Sequence, residues 1–450
     1  NNNNYFCFLL YFIYLYYVMN NKDKYGEVFT PENLIYQIID DVSGIVNFHN
    51  FNNIFEPGAG KGVFFNVLQN KLNLFNNNFH YTLNEINLLN YNDLCKITDK
   101  YKYNTTILIQ DLFSLKDLSA DLIIGNLPFT SGNKKFVPSL SKNHSSHLIN
   151  EDIKPKTIWD KMTHYCFNNI LQDGGYYLAI IPSMWFKPNR SGIYELFTEI
   201  YTIKLLKAFN CKIANKIFNY NCQTPICYVL VEKKYKLPNT KLIFKLFNID
   251  KYIDFELHNK LCIPTNNSHL FKKSIKYIID NSCDSCFQHL KKISTSNDKC
   301  KESIIKLYDK GGLENDDCDK TAILKTYKVI TGANWNKKTN KLSLNGFTTT
   351  VPSMYYGTPK LILPHKRLAR CFKDYNGEYS CHGRDFYVFL CDSKEKIDLL
   401  YYLFNLSNII NMVENGFTIR MNFIEKNVFQ YIPWLLDYDS IDCYNNFMNN

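Results

Sequence analysis

Residues 53–64 read Asn-Ile-Phe-Glu-Pro-Gly-Ala-Gly-Lys-Gly-Val-Phe. A short apolar strand runs into three glycines and then into a helical stretch. Gly58, Gly60 and Gly62 permit a tight loop that backbone and ligand can share at close range. Such a loop sits at the carboxyl edge of a sheet. The chain continues in the same manner. Short apolar strands are expected at 81–86, 106–110, 121–125, 176–182, 204–209 and 226–232, with helices over 158–171 and 193–201. The run 176–182 is almost continuously apolar, as a strand buried on both faces requires. Upstream, Leu34, Ile35, Ile38, Ile39 and Val42 form one stripe at helical spacing. Thr30 is the expected N-cap, Pro31 the first helical residue, and Gly44 the stop. Strands alternating with helices predict an α/β sheet covered on both faces.

Near residue 236 the pattern changes. A polar stretch rich in Lys, Asn and Cys follows, and from 328 short aromatic strands alternate with Gly, Pro and Asn turns. The expected organisation is a first domain over 19–236 and a mixed α+β domain over 237–450. The apolar run 5–18 is shorter than the roughly 20 residues a membrane-spanning helix needs. It lacks a basic leader and a small-residue cleavage site. Met19 follows directly, so residues 1–18 are expected to be upstream sequence, with translation starting at Met19. No membrane association is expected.

The 450 residues are 46% hydrophobic and 21% charged, which excludes a wholly disordered chain. The 15 cysteines are odd in number and scattered, as in a soluble intracellular protein with free thiols. Cys283 and Cys286 have C-x-x-C spacing, with Cys300 and Cys318 beyond. No second pair or suitably spaced His completes a zinc site, so no metal is expected. The net charge of +10 allows a polyanionic partner. It divides as +4 before and +6 after residue 236, and the densest basic strip holds Lys360, His365, Lys366, Arg367, Arg370, Lys373 and Arg384.

Three carboxylates fall at strand ends. Glu56 closes the first strand, where an acid suits a cationic amino group such as that of S-adenosylmethionine better than a pyrophosphate. Glu85 closes the second, where it can accept hydrogen bonds from ribose hydroxyls. Asp111 follows the third, within reach of an adenine amine. The sharpest signal is Asp121-Leu122-Ile123-Ile124-Gly125-Asn126-Leu127-Pro128-Phe129. A buried strand delivers an amide, a proline and an aromatic to its carboxyl edge. The Asn126 side-chain carbonyl and the Leu127 backbone carbonyl can grip the two hydrogens of an exocyclic amine. Phe129 offers a flat face for a base.

These residues together resemble the adenine-N6 DNA methyltransferases of restriction–modification systems, in the class whose cofactor and catalytic motifs precede the target-recognition domain. The resemblance runs from Lys24 to Trp434. Lys24–Pro31 looks like the N-terminal cofactor motif, in which Phe29, Thr30 and Pro31 would contact the methionine end of S-adenosylmethionine. Glu56, Pro57, Gly58, Ala59, Gly60 and Gly62 match the main cofactor loop. Glu85 and Asp111 fall at the ribose and adenine positions, and Asn126-Leu127-Pro128-Phe129 matches the catalytic tetrad. Ile180–Trp185 looks like the strand motif that follows the tetrad, and Gln223–Tyr228 resembles a later pocket motif. Gly357–Pro364 and Tyr431–Trp434 look like the recognition half. One departure is Leu127, where the family usually has Pro. Asn-Leu-Pro-aromatic is similar to the tetrad of ribosomal RNA adenine dimethyltransferases.

The resemblance implies a Rossmann-like, seven-stranded S-adenosylmethionine-dependent domain followed by a DNA target-recognition domain. It implies methyl transfer to a flipped-out adenine of double-stranded DNA, without a covalent intermediate or a metal. Trp185, Phe218 and Tyr220 are candidates for a second stacking face. Lys360, Lys366, Arg367 and Arg370 are candidates for DNA contact. The expected form is a monomer, with any restriction endonuclease on a separate chain. Competing readings are an RNA adenine methyltransferase, a protein glutamine methyltransferase and a catalytically retired DNA-binding protein. Asp254, Glu256 and Lys260 lie close together in the sequence, but no strand is expected there to make them a nuclease motif.

Overall fold

A computed structural model describes residues 28–72, 79–99, 104–129, 157–219, 222, 224–237, 241–248, 251–258, 260–292, 304–307, 327–336, 341–349, 352, 355–365, 370–381, 386–417 and 424–450. The run 5–18, the Lys24–Glu27 part of the first motif, Tyr220, Gln223, Cys300, Cys318, Lys366, Arg367 and Arg384 lie outside these residues. The chain divides into two compact units, Asn1–Ile263 and Pro264–Asn450.

In the first unit, helix α1 (Glu32–Ser43) buries Leu34, Ile35, Ile38, Ile39 and Val42, the stripe expected from the sequence. Its N-cap is Pro31, with extended backbone, so Thr30 does not cap it as expected. Strand β1 (Asn53–Glu56), helix α2 (Val63–Leu72), β2 (His80–Glu85), helix α3 (Tyr91–Thr98), β3 (Thr105–Ile109) and β4 (Ala120–Asn126) follow. Helix α4 (Ile158–Tyr165) runs on through a π-helical turn, Cys166–Ile170, into β5 (Leu171–Pro182). The unit closes with β6 (Thr202–Phe209), β7 (Ile226–Glu232), β8 (Leu242–Asn248) and β9 (Lys251–Leu257).

These nine strands form one sheet in the order β3-β2-β1-β4-β5-β7-β6-β8-β9. Strands β3, β2, β1, β4 and β5 are mutually parallel, and β7 runs antiparallel between β5 and β6. Side chains alternate across the sheet, so β5 serves two layers. Leu178 and Ile180 join the core under α1 and α2. Tyr177, on the other face, shares a hydrogen bond of 2.9 Å with Thr163 of α4 and packs on Phe167. Burying each such side chain contributes roughly 1.5–3 kcal/mol.

The expected boundary near 236 falls inside this unit, because β8 and β9 extend the sheet past it. Lys and Asn mask the alternation in β8, where Leu242, Phe244 and Leu246 are buried. Asp254 and Glu256 therefore do lie on a strand, β9. Glu256 there pairs with Lys241 at 3.0 Å.

The second unit is mixed α+β. One antiparallel sheet has the order β10 (Leu290–Lys292), β17 (Phe386–Leu390), β14 (Lys360–Pro364), β15 (Phe372–Asp374). A second sheet, mixed because β12 and β16 are parallel, has the order β11 (Ile304–Leu307), β13 (Lys341–Thr349), β12 (Tyr327–Asn336), β16 (Tyr379–Cys381). Helices α5 (Ser268–Asp280), α6 (Lys394–Asn405), α7 (Ser407–Asn415) and α8 (Tyr438–Asn449) complete it. The Ser274 hydroxyl ties α5 to the Tyr431 carbonyl at 2.5 Å and to the Tyr444 hydroxyl at 2.7 Å. Tyr431 and Ile432 are wholly buried, which places that part of the terminal motif in the core of this unit.

Candidate active site

The site begins with a register. Asp121, at the start of β4, accepts hydrogen bonds from the backbone N–H groups of Asn52 and Asn53 at 2.8 and 3.0 Å. This pins β1 to β4 with Ile54 opposite Leu122 and Phe55 opposite Ile123. The same alignment, carried to the carboxyl edge, brings the glycine loop beside Asn126. A Cβ added at Gly58 would lie 3.8 Å from Pro128 Cδ and 4.0 Å from the Asn126 carbonyl oxygen. Glycine loop and tetrad therefore touch, although about 70 residues of chain separate them.

A cleft of about 1140 Å³, open mouth included, lies at this edge. Phe29, Thr30, Glu56, Pro57, Gly58, Ala59, Gly60, Glu85, Asp111 and all four residues from Asn126 to Phe129 line it. Two expected cofactor residues do not. Pro31 caps α1. Gly62, at φ +72°, faces α3 instead: a Cβ there would collide with Ile97 and press on Leu94. Gly60, at φ +55°, leaves room for the Phe29 ring, which would stand 3.6 Å from an added Cβ. The Lys61 ammonium sits 5.2 Å from the centre of that ring.

Asn126 donates from Nδ2 to the Val28 carbonyl at 3.1 Å. Its Oδ1 is buried and has no hydrogen-bond partner among the described residues. An unmade acceptor costs about 1–3 kcal/mol, and it suits an incoming N–H. Glu56 is 1% exposed. Its Oε2 accepts the Tyr81 hydroxyl at 2.9 Å, and the Phe65 backbone N–H in the first turn of α2 also bonds the carboxylate. Burial drives its carboxyl well above the usual range, and Glu85 adds to this; the Tyr81 and Phe65 hydrogen bonds oppose the shift. Glu85 accepts Gly60 N–H on Oε2 at 2.7 Å, and Ile86 and Asn87 N–H on Oε1 at 2.8 and 2.7 Å. It thus holds the glycine loop as well as lining the cleft. Asp111 accepts Phe113 N–H at 3.1 Å, which leaves its carboxylate at the cleft wall.

Several lining residues escaped the sequence reading. Val28 orients Asn126. Asn84 fixes the loop twice, by its carbonyl to Ala59 N–H at 2.9 Å and by Nδ2 to the Pro57 carbonyl at 3.2 Å. Ile86, Leu112 and Phe113 give the end near Asp111 an apolar wall. Asn84 alternates with Tyr81 and Leu83 as Thr82 does, so the pattern alone reads it as solvent-facing, although it is 1% exposed.

Three other expectations are corrected. Trp185 is fully buried against the edges of Phe186 and Phe197, and Phe218 is 3% exposed in the core, so neither offers a stacking face. Lys360 is 0% exposed. Its ammonium pairs with Asp374 at 2.6 Å and donates to the carbonyls of Tyr355 and Thr358 at 2.9 and 3.0 Å. A side chain so enclosed cannot reach a phosphate. Of the other expected DNA contacts, Arg370 is partly exposed at the start of the β15 segment. Among the described residues no cluster of His, Cys, Asp and Glu is arranged to hold a metal ion, and no helix is long and apolar enough to cross a membrane.

The strand order, β7 running antiparallel between β5 and β6, and the glycine loop after β1 match the Rossmann-like fold of S-adenosylmethionine-dependent methyltransferases. Solved structures of similar fold include a protein of Listeria monocytogenes assigned to the class I S-adenosylmethionine-dependent methyltransferases. It is 16% identical, with a TM-score of 0.39, over 48% of this chain and 65% of that one. The type I restriction–modification methyltransferase subunit of Streptococcus thermophilus is 15% identical, with a TM-score of 0.37, over 58% and 55%. The type IIL restriction–modification enzyme MmeI, solved with DNA, is 10% identical, with a TM-score of 0.45, over 92% and 68%. The chain spans less than two thirds of the first two proteins. No family model matches the sequence, and no curated protein does.

Proposed function

We propose that the protein transfers a methyl group from S-adenosylmethionine to the exocyclic N6 amine of an adenine flipped out of DNA. The observation that carries this reading is the unpartnered, buried Oδ1 of Asn126 beside the glycine loop. An acceptor held in that place binds an amine hydrogen and leaves the nitrogen lone pair free. S-adenosylmethionine, when bound, supplies an electrophilic methyl on a sulfonium, which an amine takes up with loss of one proton. Glu56 would hold its ammonium, Glu85 its ribose and Asp111 its adenine amine, while Phe29 and Thr30 close over the methionine end. Phe129 would stack the target base, and stacking offsets part of the few kcal/mol that flipping costs. Positioning and fixed dipoles carry the rate, with no covalent enzyme intermediate.

The second unit is proposed to read the DNA target, with Lys366, Arg367 and Arg370 as contacts. Leu127, in place of the family's Pro, keeps an RNA substrate as the rival. The deciding experiment is long-read sequencing of DNA from a methylation-free host expressing the chain, alongside transfer of labelled methyl groups to RNA. N6-methyladenine at one recurring DNA motif is expected. Label entering RNA alone would replace the DNA reading.

Glu56 makes cofactor binding proton-linked. Burial raises its carboxyl, so below that raised value the free protein carries the protonated acid. An ammonium beside it favours the carboxylate, so the complex binds fewer protons. Affinity is therefore expected to rise with pH until the raised value is reached, and then to level. Calorimetric titration with S-adenosylhomocysteine in two buffers of different ionisation enthalpy should show proton release. Heats independent of the buffer would count against this role.

A further inference from the structure

Behind Glu56 stands a residue that touches nothing in the cleft. Tyr81 lies on β2 opposite Ile54 of β1, two positions below the Glu56–Leu83 pair. Tyr81 and Glu56 thus share a face of the sheet, and the phenol reaches up along that face to the carboxylate. The ring is 0% exposed and does not line the cleft. Phe65 of α2 packs edge-on against it, with centroids 5.0 Å apart at 82°. The ring is therefore immobilised from the helix side. Its hydroxyl donates to Glu56 Oε2 at 2.9 Å.

A glutamate side chain has three rotatable bonds, and a carboxylate at a cleft wall needs a fixed rotamer to present one oxygen outward. We propose that Tyr81 is a positioning residue: its hydroxyl occupies one oxygen of Glu56 and aims the other at the cationic α-amino group of the bound ligand. This rests on the methyl-transfer reading for the identity of the ligand. Tyr81 thereby selects for the amino-acid half of the cofactor and is indifferent to the nucleoside half. The contrast gives a readout that a merely structural role would not move.

The test compares two probes on the full chain by calorimetry. S-adenosylhomocysteine carries the amino-acid end; 5′-methylthioadenosine keeps the nucleoside and lacks it. Tyr81→Phe removes the hydroxyl and keeps the ring on Phe65. S-adenosylhomocysteine is expected to bind the variant roughly tenfold more weakly, the lower end for a lost hydrogen bond to a charged group. The affinity for 5′-methylthioadenosine should stay as in the wild type. In a Glu56→Ala background, Tyr81→Phe should cause no further loss, since the hydroxyl acts only through that carboxylate. Equal weakening of both probes would overturn the proposal, as would unchanged binding of both or a full additional loss in the Glu56→Ala background. If the wild-type chain bound neither probe, the methyl-transfer reading itself would fall. That outcome is distinct from a wild type that binds both and a variant that does too.

Discussion

Asn126→Ala is expected to lower methyl transfer by at least about a hundredfold, the scale for removing one preorganised group from a reacting centre. Cofactor affinity should stay near that of the wild type. The structure gives the reason for this separation. The Asn126 amide is held from behind, by Nδ2 to the Val28 carbonyl, and its Oδ1 is left without a partner. The glycine loop is fixed independently, by Glu85 and Asn84. Alanine therefore removes the acceptor for the target amine and leaves the loop's own hydrogen bonds in place. Turnover with labelled S-adenosylmethionine measures the first effect and calorimetry with S-adenosylhomocysteine the second. Turnover at the wild-type rate would end the proposed role of Asn126, and a lost affinity would move that role from the substrate to the cofactor.

The largest effect on stability is expected at Lys360. It was expected on DNA, but its ammonium is enclosed with Asp374 and two carbonyls. Taking away one member of a buried ion pair leaves the other charged and unmatched, at about 3–5 kcal/mol. Asp374 keeps the N–H groups of Glu378 and Tyr379 at 2.9 and 3.0 Å, which puts the expected loss at the lower end. Lys360→Ala should therefore lower the unfolding free energy of the second unit, measured by denaturant titration, by about 3 kcal/mol. Asp374→Asn added to it should restore part of that loss, because an amide carries no charge to strand. A single variant as stable as the wild type, with weakened DNA binding, would return Lys360 to the surface.

Much of the first unit was legible in the sequence because its signals are local. Strands β1 to β7 are apolar runs bounded by Gly, Pro, Asn and Asp, and the stripe of α1 has one period throughout. Glu56, Glu85, Asp111 and Asn126 could be read because each falls at or just after the end of an expected strand, which puts it at a carboxyl edge. What was missed depends on pairing. Tyr81 sits mid-strand, and its meaning arises only when β2 lies beside β1. Val28 acts through a backbone carbonyl, which no side chain announces. Lysine is seldom fully buried, so Lys360 read as surface; yet it stands directly across from Asp374 in the β14–β15 ladder. Matching opposite charges on neighbouring strands would have found the pair. In the second unit, α6 carries Ile397, Leu400, Leu403 and Phe404 at helical spacing. Its Tyr and Phe residues suggested strands instead.

Asp121 lies five positions before Asn126 on β4, roughly 17 Å away at the usual strand rise. It is far from any ligand the cleft could hold. Yet its carboxylate sets which residue of β1 stands against which residue of β4, and a slip of one would turn Asn126 to the other face of the sheet. The strand works as a measuring rod, zeroed at one end and read at the other. Distance from the chemistry, along the chain or through space, is therefore a poor guide to what this molecule can lose.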